Sequence, residues 1–367
     1  MCNVIERDVA EFEDDAFGVK YRLLGEVQAI RAISYWYLVN LYGEPFKDKE
    51  QARTGMGVPI NTATTIDDKL YTRSSLWEVH ELIETDLKNA LQNLAKGEKK
   101  ESIFHPNVDV VRLFLSRLYL EQKRYDEVIT VCTEALSETK RDIIPLGEMQ
   151  KYTAQYTPML NKNNTSIMFT WAQRDAIPAS GNNYWQEGTY IPAPDLLDLF
   201  ATNDLRKKDY ALVDPWDPGK MIKYEANYSG CYTMNYRVEE FYFNRAEAYI
   251  ETGEWEIGMK DLNKVYEQRI EGGEGHLDAA NAEKAREVLR LEKRKEFCFE
   301  DMRWFDIRRW NLSVEHRYYN FSTDGTYQTY VLEAGSPNYV LPIPLDVQRR
   351  NFKIENPQRV EISPVNN

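Results

Sequence analysis

The amino-acid sequence predicts a mainly α-helical protein, and two observations support this fold class. Apolar residues recur at helical spacing along several long stretches, and these stretches come in pairs joined by short turns. Runs that look like strands are few and brief. One long irregular segment, rich in Pro, Gly and Asn, interrupts the helical pattern. We therefore expect helical hairpins that carry a long irregular insertion.

The first two helices are predicted over residues 24–41 and 76–94. Gly43 follows the apolar stripe of the first helix and ends it. Ser75 stands where it can cap the second helix. The polar stretch 47–70 between the two helices is rich in Gly and Thr and is predicted as a loop.

Two further helical hairpins resemble each other at an offset of 130 residues. Helices are predicted over 108–122 and 126–136, and the segment Tyr119–Tyr125 between them aligns with Tyr249–Trp255. In both places a helix ends, a short turn follows, and an aromatic residue opens the next helix. This pattern is typical of tetratricopeptide-type repeats, which must stack to bury their faces. An ordinary helical hairpin is the alternative interpretation.

The remaining predicted elements lie in and after the insertion. The sequence predicts one long helix, rich in Arg and Glu, over 281–310. The other predicted elements are short: a strand over 167–171, a helix over 194–200, and strands over 327–332 and 339–343. We expect a single domain over residues 1–367, with helical repeats at about 1–139 and 237–311 and irregular segments at about 140–236 and 312–367.

Composition and charge argue against several classes of function. The 367 residues include 46 Lys and Arg against 59 Asp and Glu, and the net charge of −13 disfavours nucleic acid as a partner. No apolar run approaches the roughly 18 residues that a membrane-spanning helix needs. The chain opens with charged residues instead of a signal peptide, which by itself would indicate the cytosol. The four scattered cysteines predict neither a zinc site nor a disulfide framework.

Catalytic motifs are incomplete in this sequence. The run His80–Glu84 lacks the second histidine of a metalloprotease helix and is interpreted as an ordinary exposed helix turn. Residues 253–260 lack the Gly-Lys-Ser/Thr of a phosphate-binding loop, and the sequence has no Gly-x-Ser-x-Gly elbow. Two facing carboxylates, as in a glycosidase, cannot be picked out by spacing among 59 acidic residues. We expect no catalytic residue, no cofactor and no metal site.

Aromatic residues of the insertion are the candidate ligand contacts, because no helical stripe accounts for them. Aromatic faces stack on sugar rings or on peptide side chains, and polar neighbours such as Asn182, Asn183 and Asp217 could bond hydroxyl groups or amides. The alternative is that the aromatics, Trp171 among them, hold the insertion against the helices. The candidate binding residues are Tyr184, Trp185, Tyr190, Trp216, Tyr224 and Tyr228.

Several blocks of the sequence resemble the SusD/RagB family of surface lipoproteins from Bacteroidetes outer membranes. Residues 26–43 (EVQAIRAISYWYLVNLYG) are similar to the first helix block of that family, and residues 194–206 (PDLLDLFATNDLR) to a later one. The most specific block is 292–310 (EKRKEFCFEDMRWFDIRRW), which is similar to E-R-R-x-E-(L/F)-x-F-E-G-x-R-W-x-D-L-x-R-W. With the tail at 339–357, the similar blocks run across nearly the whole chain.

The resemblance implies a right-handed superhelix of four tetratricopeptide-like hairpins on which the irregular segments pack. It implies non-catalytic binding of oligosaccharides, or of peptides in some members, at the cell surface. It also implies a partner, a SusC-type TonB-dependent porin of the outer membrane, to which the nutrient is delivered. The Arg- and Glu-rich block would then brace the structure, with Arg303, Asp306 and Arg308 in salt bridges.

The beginning of the chain departs from the family pattern. Family members carry a signal and a lipid-bearing cysteine well before the first helix block, whereas Cys2 resembles a residue inside the first repeat helix. We therefore expect the lipid anchor on a preceding segment and an outer-membrane location, against the cytosolic indication of the first residues. Two other functions stay open from the sequence: a cytosolic tetratricopeptide-type adaptor that binds a peptide, and a glycosidase.

Overall fold

The computed structural model describes residues 1–13, 16–66, 68–100, 102–149, 151, 159, 164–171, 193–207, 235–300, 302–319 and 327–365. These residues form twelve α-helices and two two-stranded antiparallel sheets, so the predicted mainly helical class is confirmed. In chain order the elements are α1 (Cys2–Ala10), α2 (Val19–Tyr42), α3 (Lys49–Thr54), α4 (Leu76–Lys96), α5 (Val108–Glu121), α6 (Tyr125–Glu138), β1 (Ile167–Thr170), α7 (Pro194–Leu197), β2 (Asn235–Arg237), α8 (Glu239–Glu251), α9 (Trp255–Tyr266), α10 (Ala282–Glu296), α11 (Arg303–Arg309), β3 (Val314–Tyr319), β4 (Tyr327–Leu332) and α12 (Leu345–Arg350).

The chain divides into two compact units. The first unit consists of Met1–Gly97 and Trp304–Asn367, and the second unit is Glu98–Arg303. The first therefore holds the outer parts of the sequence, and the second holds the described parts of the insertion together with the two hairpins that resemble each other. The single domain expected from the sequence stays a prediction.

In the first unit, α2 packs along α4 and also contacts α1. Small residues let the backbones approach closely, since a Cβ atom on Gly25 would lie 2.6 Å from the Cγ of Leu94. Farther along α2, Trp36 is buried and meets the ring of Phe305 edge-on, with 4.8 Å between ring centroids. The core of this unit is thus mainly apolar and aromatic, with one ion pair between Arg31 of α2 and Asp86 of α4.

Helix α4 begins where the sequence predicts, but the burial of one of its side chains, His80, differs from the prediction. Ser75 Oγ accepts a hydrogen bond from the backbone N–H of Glu78, whose carboxylate accepts from the Ser75 N–H in return, which makes a capping box. His80 was predicted on an exposed helix turn, and this is wrong. It is 2% exposed and stacks on Phe46, because its position on α4 falls on the face that packs into the core.

In the second unit, the α5–α6 and α8–α9 hairpins turn with the same geometry. Lys123 and Gly253, which are 130 residues apart, both have positive φ angles, 57° and 93°. The backbone N–H of Arg124 donates to the carbonyl of Tyr119 at 2.9 Å, and that of Glu254 donates to Tyr249 at 2.8 Å. The alignment seen in the sequence therefore corresponds to a shared turn. The tetratricopeptide-type repeat and the superhelix stay predictions.

Three further predictions on secondary structure are wrong. The long helix over 281–310 is two helices, because α10 ends at Glu296 and Phe299 adopts a left-handed conformation with φ of 60°. Residues 339–343 are not a strand: Tyr339 ends a short 3-10 helix, and the Ile343 N–H donates to the side chain of Asn356. Within 47–70, the predicted loop contains α3.

Candidate functional site at the anchors of the irregular segment

The candidate binding residues Tyr184, Trp185, Tyr190, Trp216, Tyr224 and Tyr228 lie outside the described residues, as do Asn182, Asn183 and Asp217. Their roles stay predictions. The structure does describe the residues that hold the segment which carries them. These anchors lie at 164–171, 193–207 and 235–238, all in the second unit.

The undescribed stretch 172–192 begins, and the undescribed stretch 208–234 ends, at the same place in the fold. Strands β1 and β2 pair antiparallel, with Thr170 opposite Asn235. Strand β1 is also tied to the segment that precedes α5, since the Thr170 N–H donates to the Ile103 carbonyl and the Asn107 amide donates to the Met168 carbonyl. Trp171 and Asn235 are thus neighbouring end points.

A stack of aromatic rings extends from this strand pair into the helices. Phe169 stacks on Tyr236 with 5.7 Å between ring centroids, and Phe114 of α5 meets Tyr236 edge-on at 5.3 Å. Trp171 donates its indole N–H to the hydroxyl of Tyr236 at 3.0 Å. Trp171 therefore packs on the strand pair at the base of the insertion. This agrees with the alternative interpretation, in which Trp171 helps to hold the insertion against the helices.

A buried ion pair lies beneath the aromatic stack. Arg117 makes a bidentate contact with Glu240, at 2.6 and 2.7 Å, and its guanidinium lies over the rings of Phe114 and Tyr236. Sequence reasoning missed this pair. In the sequence, the pair is visible only as one charged residue at an apolar position of α5 and another at an apolar position of α8. That pattern does not show that the two side chains meet.

The middle anchor, residues 193–207, folds back onto the second unit through α7. Its buried side chains Leu196, Phe200 and Leu205 join an apolar cluster with Ile144 and Leu146. The backbone bonds to the residues after α9, since the Leu205 N–H donates to the Arg269 carbonyl. The segment is therefore fixed by both packing and hydrogen bonds.

Charged side chains tie the same anchors to α10, with Glu296 at the centre. Its carboxylate accepts hydrogen bonds from Arg206 of the middle anchor at 3.2 Å, from Arg237 of β2 at 2.9 Å and from Arg269 at 2.9 Å. Glu296 and Arg269 are fully enclosed, and the other two arginines nearly so. Two of the anchors, together with Arg269 from the residues after α9, thus converge on one carboxylate.

Burial and these arginines act on Glu296 in opposite directions. Desolvation would raise the pKa of the carboxyl group, but Arg269, Arg237 and Arg206 together hold it well below its ordinary value. Glu296 is therefore ionised, and its oxygens are engaged by guanidinium groups. The network can position the segments it joins, which is the bracing role expected of this sequence block.

Other acidic side chains complete the network. Glu239 pairs with Arg269 at 2.7 Å, Glu300 pairs with Arg237 at 3.0 Å, and Asp204 pairs with Arg206 at 2.6 Å. Each arginine therefore meets more than one carboxylate. In the first unit, the expected salt bridge of Asp306 is formed with Arg309, and Arg308 donates to the carbonyl of Gly43.

Two features that would bear on function are absent from the part of the chain that the structure describes. None of the described groups of His, Cys, Asp and Glu side chains brings three or more residues together in a way that could hold a metal ion. None of the described helices is both long enough and apolar enough to cross a membrane.

Two family models match different parts of the chain. Residues 212–357 match the model described as the SusD family, and residues 6–120 match the model described as "Starch-binding associating with outer membrane". Together the two ranges take in about seven-tenths of the chain. No curated protein matched the sequence.

Solved structures from Bacteroides share the fold. A putative sugar binding protein from Bacteroides vulgatus has a TM-score of 0.75 at 21% identity, over 98% of this chain and 83% of that chain. A SusD superfamily protein from Bacteroides thetaiotaomicron has a TM-score of 0.74 at 19% identity, over 98% and 83%. A SusD-like carbohydrate binding protein from Bacteroides vulgatus has a TM-score of 0.71 at 19% identity, over 97% and 82%.

At such identities the structures show the fold, and the two family models cover most of the sequence blocks that resemble SusD/RagB. The block at 26–43 falls in the range 6–120, and the tail and the Arg- and Glu-rich block that surrounds Glu296 fall in the range 212–357, whereas the block at 194–206 lies between the two ranges. The chain belongs to the SusD/RagB family.

Proposed function

We propose that this protein binds oligosaccharides at the surface of the outer membrane without chemically changing them and passes them to a SusC-type TonB-dependent porin. The observation that carries the proposal is the match of residues 6–120 to a family described as starch-binding and associated with the outer membrane. Similar structures named as carbohydrate-binding or sugar-binding proteins support the same ligand class.

The arrangement of the anchors supports a binding role for the irregular segment. Its described ends and its middle are fixed by a strand pair, an apolar cluster and the network around Glu296. Such fixed ends lower the conformational entropy that a binding segment loses when its ligand arrives. The six candidate aromatics lie in the two stretches between these anchors, 172–192 and 208–234.

A binding panel with two tryptophan variants tests the aromatic contacts. We expect Trp185→Ala or Trp216→Ala to weaken binding of an oligosaccharide by about tenfold, because stacking on a sugar ring is lost. Isothermal titration calorimetry against neutral oligosaccharides and short peptides measures this. Phe104→Ala is the matched control, since Phe104 is an aromatic residue of the second unit that is 58% exposed and lies outside the insertion.

The panel also separates the proposal from its alternatives. Unchanged affinity in both tryptophan variants would remove the aromatic contacts from the proposal, and binding of peptides alone would overturn the oligosaccharide as the ligand. Release of reducing sugar during incubation with a bound oligosaccharide would show a glycosidase. We expect the glycan to be recovered intact.

The location and the partner are tested by the complete gene and by co-purification. We expect a secretion signal that ends in a lipidation motif and a neighbouring gene for a TonB-dependent porin. Tagged full-length protein, extracted from outer membranes in mild detergent, should carry that porin with it. A reading frame that starts at Met1, with the protein recovered from the cytosol, would overturn this part of the proposal.

A further inference from the structure

The hairpin of β3 and β4 in the first unit presents a compact group of aromatic and polar side chains. Its register pairs His316 with Tyr330 and Tyr318 with Gln328. Directly paired residues of antiparallel strands project from the same side, and so do residues two apart. We call these four side chains the hairpin face.

Solvent reaches the hairpin face. Tyr318 is 58% exposed, His316 is exposed, and Gln328 and Tyr330 are half-buried. The Tyr330 hydroxyl lies 3.1 Å from the amide oxygen of Gln328 and donates to it, which agrees with the shared face and fixes the amide. Two aromatic rings, an amide and an imidazole are therefore presented together.

The charged residues of β3 lie on the opposite side of the hairpin. Glu315 and Arg317 alternate with His316 and Tyr318 along the strand, and their side chains are 3.5 Å apart. The four residues of the hairpin face include no carboxylate, ammonium or guanidinium group. One side of the hairpin is thus aromatic and uncharged, and the other carries an exposed ion pair.

A third stretch of chain supports the hairpin. The Val365 N–H donates to the carbonyl of Thr329 at 2.8 Å, which adds the end of the described chain to the edge of β4. A two-stranded hairpin alone is at best marginally stable in water, and added strand pairing helps to hold it. The hairpin is therefore held by a third segment of chain as well as by the pairing of β3 with β4.

We infer that the hairpin face is a second binding surface for an uncharged oligosaccharide. Tyrosine rings stack on the apolar faces of sugar rings, while an amide and an imidazole exchange hydrogen bonds with hydroxyl groups. An uncharged face offers no ion pair to an acidic glycan, which sets the ligand class. This inference rests on the proposed function and adds a contact outside the irregular segment.

Substitutions on the two sides of the same strand test the inference. The affinities for maltoheptaose, xylohexaose and mannohexaose are measured by titration calorimetry. For an oligosaccharide that the unaltered protein binds, Tyr318→Ala should lower the affinity by roughly 3- to 10-fold. Tyr318→Phe keeps the ring and should retain affinity. Arg317→Ala, the control from the opposite side, should change affinity by less than about twofold. Circular dichroism melts verify that each variant is folded.

Each outcome decides the inference. If Tyr318→Ala and His316→Ala leave the affinity unchanged while Trp185→Ala or Trp216→Ala lowers it, the hairpin face is not a binding surface and the proposed function stands. Equal loss in Arg317→Ala, or tighter binding of an acidic hexagalacturonate than of any neutral glycan, also overturns it. If the unaltered protein binds none of the glycans, the proposed function fails and the inference fails with it.

Discussion

In the first unit, α2 packs on α4 through a close glycine contact and one ion pair and on α11 through aromatic rings, whereas in the second unit charged side chains join irregular segments to α10. Trp36 and Phe305 represent the first kind of contact, and Glu296 with its three arginines represents the second. The first kind suits long regular helices, whose apolar stripes can be matched along their length. The second suits short segments that have no such stripe.

The difference shows how a helical frame can hold a long irregular insertion. An irregular segment offers few apolar positions, but a single arginine can reach a distant carboxylate and bind it in a directed way. Arg206 and Arg237 do this for two of the anchors. Buried charges are costly to enclose, so each must be paired. The anchors therefore depend on one another through the network.

The largest expected effect comes from removal of the central carboxylate. Glu296→Ala leaves three buried arginines without this shared partner, and we expect the free energy of unfolding to fall by about 3–5 kcal/mol. Urea denaturation followed by circular dichroism measures the loss. Glu287→Ala on the same helix is the control, because Glu287 pairs with Lys284 at the surface and should cost less than about 0.5 kcal/mol. A similar small loss for both would contradict the network's central role.

An effect of intermediate size is expected from the buried histidine of the first unit. Burial lowers the pKa of His80 to about 4, from an ordinary value of 6.5, although Glu84 opposes the shift. The unfolded chain then binds more protons between these two pH values. The stabilisation from neutral His80 is complete above about pH 6.5 and is lost as the pH falls to about 4, by about 3 kcal/mol.

The pH dependence is measured by urea denaturation at several pH values between 4 and 7. We compare the chain with His80→Phe, which keeps a ring against Phe46 but cannot take up a proton. The difference in unfolding free energy between the two proteins should change across this range. A constant difference would mean that His80 does not titrate with a lowered pKa.

The smallest of the three effects concerns the close approach of α2 and α4. Gly→Ala inside a helix normally stabilises it, but a Cβ on Gly25 would lie 3.0 Å from the backbone nitrogen of Leu94 as well as close to its side chain. We expect Gly25→Ala to lower the free energy of unfolding by about 1–3 kcal/mol. Lys88→Ala on the exposed side of α4 should change it by less than about 0.5 kcal/mol. A stabilised Gly25→Ala protein would show that the helices can separate at no cost.

Much of the helical fold could be predicted from local pattern. The apolar stripes of α2, α4, α5 and α6 and the cap at Ser75 were found at the right places, because helical periodicity and capping act over a few residues. The break between α10 and α11 could not be found in the same way. The Arg- and Glu-rich pattern continues through it, and the left-handed residue is Phe299, which carries no sequence signal for such a conformation.

The candidate site could be predicted only in part. The sequence located the irregular segment and its aromatic residues, and it indicated that the Arg- and Glu-rich block has a bracing role. It could not show that Arg206, Arg237 and Arg269 meet at Glu296, since these residues are up to 90 positions apart. Nor could it show the hairpin face, because the register of β3 and β4 decides which side chains share a side.

The sequence by itself determined the helical class, the hairpin turns at Lys123 and Gly253 and the family, because each depends on local pattern or on ordered blocks. The tertiary structure decided that His80 is buried, that Trp171 donates to Tyr236, and that one carboxylate joins two anchors to α10. The physical reason is range. Periodicity and capping act between near neighbours, whereas burial and ion pairing depend on which distant residues the fold brings together.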